Sequence, residues 1–68
     1  MNNARRADIK KALKELEPIK DLLIDLEAQE REVQDNKPES LQNYEAADFL
    51  SDACNGIGEV IENLESIE

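Results

Sequence analysis

Histidine and tryptophan are missing from this 68-residue chain, which has one cysteine (Cys54), two prolines, two glycines and two aromatics, Tyr44 and Phe49. Each shortage closes a class of chemistry. Without histidine, the side chain most used in general acid–base catalysis is gone. Ser40, Ser51 and Ser66 have neither histidine nor an obvious lysine base beside them to activate a nucleophile. One cysteine makes no intrachain disulfide and no zinc site, and Cys54 reads as a small core residue. The Glu-x-x-His pairs that hold two irons in helical bundles are absent. The stretch DFLSDACNG (residues 48–56) lacks the alternating acids of a calcium loop. Gly56-Ile57-Gly58 is a lone G-x-G with no strand before it. The sequence-level expectation is no enzyme, no metal and no cofactor.

Long hydrophobic runs are also lacking. No apolar stretch approaches the ~20 residues of a membrane span, and MNNARRADIKK has no signal-peptide core. With a single unpaired cysteine, these features give a cytoplasmic expectation, without a membrane partner. Positive charge is scarce: 8 Lys and Arg face 17 Asp and Glu, for a net charge of −9. That balance speaks against direct nucleic-acid binding, which is mostly phosphate neutralisation. The charge is uneven, with +4 over residues 1–14 and −13 over the rest.

What is present is leucine, isoleucine, alanine, glutamate and lysine, the composition of long helices. The expected fold class is all-α: a single domain over 1–68, built as an antiparallel two-helix hairpin. Helix 1 is expected from about residue 3 to 35, the turn over 35–40, and helix 2 from Pro38 or about Leu41 to 66. On helix 1, Ile9, Leu13, Leu16, Leu23, Leu26 and Val33 recur at helical spacing, and Ile19, Leu22 and Ile24 widen the stripe. Pro18 is expected to kink this helix rather than break it, because the stripe stays in phase across it. Asp35, Asn36 and Pro38 supply the stop, and Ser40 is a candidate N-cap. Helix 2 carries Leu50, Ala53, Ile57, Val60, Ile61, Leu64 and Ile67 on one stripe. Ala47, Ser51, Cys54 and Gly58 form a second line of small residues. Gly56 and Gly58 weaken helix 2 by ~1 kcal/mol each, so irregularity is expected there.

One hairpin of this length cannot close a core, since each helix covers only one face of the other. Self-association, as a dimer or a higher homo-oligomer in a helical bundle, is therefore expected. Its interface is assigned to Leu13, Leu16, Leu23, Leu26, Leu50, Cys54, Ile57, Ile61 and Leu64. The basic start of helix 1 would lie beside the C-terminal glutamates Glu59, Glu62, Glu65 and Glu68, fixing the antiparallel register. Alternatively Arg5, Arg6, Lys10 and Lys11, with Tyr44 stacking a base, would hold a phosphate-bearing nucleotide at the oligomer interface.

Residues 35–42, DNKPESLQ, raise the remaining question. Turn formation explains Asn36 and Pro38, while Glu39, Ser40 and Gln42 are also candidates for an interaction surface. Through Asp35, Asn36, Pro38, Glu39, Ser40, Leu41 and Gln42, the chain resembles a family of small acidic two-helix proteins of bacteriophages and prophages with a D-N-x-P-E-S-L-Q turn. After Gln42 it departs from that pattern with Asn43-Tyr44-Glu45-Ala46-Ala47, and it adds Pro18 and NGIG. The resemblance implies a helical hairpin of viral origin and no particular activity. It favours a non-catalytic homo-oligomer that inhibits or redirects a host protein, such as a defence factor, by stoichiometric binding. A sponge for a nucleotide immune signal and an acidic mimic of nucleic acid are the alternatives.

Overall fold

Asn2 begins the first helix: its side-chain oxygen accepts a 2.8 Å hydrogen bond from the Arg5 amide. In the computed structural model, which describes residues 1–67, helix α1 spans Asn3–Asp35. Glu68, one of the terminal glutamates considered above, lies outside the described residues. Helix α1 runs through Pro18 as one element, so the proline does not break it. Pro18 is exposed, so its ring faces away from the second helix. The packing residues on either side keep their phase, and their burial offsets the lost backbone hydrogen bond. At the far end the Asn36 amide donates to the Gln34 and Glu32 carbonyls and closes the helix.

The connection is longer than the sequence suggests. A short 3₁₀ turn spans Glu39–Leu41, and α2 spans Glu45–Ile67. The expected start of helix 2 near Leu41 is thus several residues early. The Leu41 and Gln42 amides donate to the Pro38 and Glu39 carbonyls at 2.8 and 3.3 Å, bonds that close a tight turn without propagating a helix. Asn43, not Ser40, then opens α2. Its side-chain oxygen accepts from the Glu45 amide at 3.0 Å, and the Asp48 amide makes a helical bond to the Tyr44 carbonyl. Ser40 sits inside the 3₁₀ turn. The irregularity expected at Gly56 and Gly58 does not occur: both are helical, with no positive φ.

The two helices pack antiparallel. Near the turn, Arg31 reaches Asp48 at 3.3 Å. Farther along, the Lys20 ammonium lies 3.5 Å from where a Cβ on Gly58 would sit. On α1 the residues at least half-buried include Ile9, Leu13, Leu16, Lys20, Leu23, Glu27, Glu30 and Gln34, at alternating spacings of four and three. On α2 they include Ala47, Leu50, Cys54, Ile57, Ile61 and Leu64. This is coiled-coil periodicity on both helices. Ala47, Cys54 and Ile61, one heptad apart, are the buried apolar residues among those described.

The result is a thin slab, 56 × 15 × 11 Å between Cα extremes. Its radius of gyration is 16.3 Å, against about 11 Å for a globular chain of this length. Among the described residues, no helix is long and apolar enough to cross a membrane.

Candidate functional site

A hairpin that is one layer of helices thick has two broad faces, and here they differ sharply. One carries an open groove lined by Glu17, Asp21 and Glu27 from α1 and by Glu59, Glu62 and Glu65 from α2. Lys20 is the single basic residue in its lining. Ser51, Cys54 and Gly58 also line it, so the line of small residues on α2 lowers the groove's floor. Gly58 leaves room for Lys20, whose alkyl chain crosses toward α2 among the carboxylates.

The opposite face follows from helical geometry. If the rows through Lys20 and Glu27 on α1, and through Ser51 and Gly58 on α2, face the groove, the rows on the other side of the seam face away from it. On α1 those are Ile9, Leu16, Leu23 and Glu30 nearest α2, then Ala12, Ile19, Leu26 and Val33. On α2 they are Leu50, Ile57 and Leu64, then Ala46, Ala53, Val60 and Ile67. Glu30 is the one charged residue in these four rows, and it accepts a 3.0 Å hydrogen bond from the Gln34 amide group. The outer rows lie open: Ile19, Leu26, Val33, Val60 and Ile67 are 39–51% exposed. Leu22 and Phe49 extend the apolar surface at its two edges.

The assigned interface residues therefore divide. Cys54 and Ile61 are buried against α1 of the same chain. Leu13, Leu16, Leu23, Leu50, Ile57 and Leu64 are half-buried in the seam, and Leu26 stands open on the apolar face.

The nucleotide-binding set is not assembled within one chain. Arg5 and Arg6 stand on the exposed first turns of α1, with Lys10 and Lys11 just beyond. Tyr44 is at the opposite end, where its hydroxyl donates to the Asp35 carboxylate. Along α1, Lys11 and Asp35 are separated by about 36 Å. That hydrogen bond, more than burial, raises the Tyr44 pKa above its ordinary 10.0. Of the basic start and the C-terminal glutamates expected to meet, Lys14 and Glu65 line one cleft, together with Leu13 and Glu17.

In the DNKPESLQ turn, Asn36, Pro38, Glu39 and Ser40 are exposed. Gln42 is half-buried, and its side chain donates to the Lys37 carbonyl at 3.2 Å. Gln42 thus has a structural job in the turn.

Two residues that organise this end escaped sequence reasoning. Gln34, 6% exposed, donates to Glu30 and accepts from the Asn43 amide, both at 3.0 Å, tying the connection to α1. Arg31 bonds Glu27 at 2.8 Å and reaches Asp48 on α2. The hydrogen bond to Glu27, chiefly, raises its pKa further above the usual arginine value. The available signal was the phase of the row Leu13, Lys20, Glu27, Gln34, which carries the seam into polar residues.

Comparison with protein-family models, curated proteins and solved structures finds no match to this chain.

Proposed function

We propose that this protein is a non-catalytic, homo-oligomeric binding protein that inhibits or redirects a host bacterial protein by stoichiometric attachment. The observation that carries this reading is the division of the hairpin into an uncovered apolar face and an acidic one. The apolar face suits assembly, and the acidic face is left to meet the partner. The viral origin rests on the likeness at DNKPESLQ to the phage family. The groove's six carboxylates against Lys20 also favour a specific form of this reading, an acidic mimic of nucleic acid that occupies a basic host protein.

The test is capture of bacterial lysate proteins on the immobilised full chain, at low and high salt, beside a Glu59→Gln/Glu62→Gln/Glu65→Gln variant. The expected result is a basic protein retained in fixed ratio by the native chain and released by salt. Retention equal for the native and neutralised chains, or insensitive to salt, would remove the acidic face from the account.

A further inference from the structure

The open apolar face is self-complementary, and this specifies what covers it. Three observations converge on a second copy. The first is area. The chain exposes 5165 Å², whereas a folded monomer of its 7.7 kDa mass exposes about 4,300 Å². The excess, roughly 870 Å², is close to the ~800 Å² that each partner contributes to an interface of ordinary size.

The second is symmetry within the patch. Its α1 part runs from Ile9 to Val33, with its midpoint at Asp21, and its α2 part runs from Ala46 to Ile67, with its midpoint between Gly56 and Ile57. Lys20 lies against Gly58, so the two midpoints stand at nearly the same height along the slab. A twofold axis across the hairpin at that level lays the patch onto itself. Leu16 then meets the level of the partner's Leu26, and Ala53 that of the partner's Val60.

The third is charge. Around the turn, residues 27–48 hold seven acids and two bases. The other end is far less acidic, since Arg5, Arg6, Lys10, Lys11 and Lys14 there nearly balance Asp8, Glu15, Glu17, Glu59, Glu62 and Glu65. A copy laid with its turn over the same end would set two acidic ends together. The reversed copy sets each acidic turn over a base-bearing end, the lower-energy arrangement.

We propose that two copies stack apolar face to apolar face, with their turns at opposite ends, as an antiparallel four-helix bundle. Both acidic grooves then face outward, one on each side. This deepens the homo-oligomeric part of the function proposed above and rests on it.

The experiment is double electron–electron resonance on Lys37→Cys in a Cys54→Ala background, with a nitroxide at the exposed turn. The expected result is a two-spin signal at roughly 50 Å, from 16 helical rises on either side of the axis. A distance under about 25 Å, as for turns stacked at one end, would overturn the orientation and leave homo-oligomerisation standing. A signal from more than two spins would overturn the dimer. No dipolar signal, with the mass of one chain, would overturn both this inference and the assembly on which it rests, without touching host-protein capture. The face is tested by adding Val60→Glu, expected to abolish the signal, and Asn55→Glu on the groove side, expected to preserve it. Survival of the long distance in Val60→Glu would show that another face is used.

Discussion

Gln34 holds the turn end together with one amide group. Both ends of that group are bonded, to Glu30 and to the Asn43 amide, and Gln34 is the one buried polar residue among those described. Gln34→Ala leaves the Asn43 amide without this partner, and we expect a loss of about 1–3 kcal/mol in urea unfolding. Tyr44 offers a cleaner readout, because it is the only tyrosine. Its pKa is raised in the folded chain, first by the hydrogen bond to Asp35. The sign is therefore fixed: this contribution to stability is present below the ordinary 10.0 and disappears as pH rises through the higher folded value. Tyrosinate absorbance should titrate above 10.0 in the native chain and move back toward it in Asp35→Asn. Gly56 meets open space, with nothing within 4 Å of an added Cβ. Gly56→Ala should stabilise α2 by about 0.5–1 kcal/mol in thermal unfolding.

At the scale of the elements, α1 was legible almost to the residue, because the in-phase stripe and Asp35-Asn36 agree, while the Asn2 cap emerges only from the structure. Pro18 is the one dissenting local signal. It sits exposed inside a continuous helix, so Pro18→Ala should raise stability by about 2 kcal/mol with helicity unchanged or higher. A fall in stability would mean that the proline shapes the packing of α1 on α2. The start of α2 was not legible. Pro38-Glu39-Ser40 has the look of a helix start, and only the bonds from Asn43 and Gln34 reveal where the chain commits to α2. The seam on α1 was also hidden. Its apolar residues fill three adjacent rows, and periodicity alone does not tell which two a partner helix will take. The small residues Ala47, Ser51, Cys54 and Gly58 decide it, drawing α1 toward their side and leaving Ile19, Leu26 and Val33 uncovered.

For the whole molecule, the all-helical hairpin and its antiparallel sense could be read in advance from two stripes and one turn. The segregation into an acidic face and an apolar face could not, since it depends on the rotation of each helix about its axis. That segregation carries the central proposal: a lone hairpin leaves an open apolar face in water, and we propose that a second copy covers it. Sedimentation equilibrium of the native chain at micromolar concentration tests this most directly. The account predicts a single species of twice the 7.7 kDa chain mass, fully helical by circular dichroism. A stable, fully helical species at the mass of one chain would contradict it.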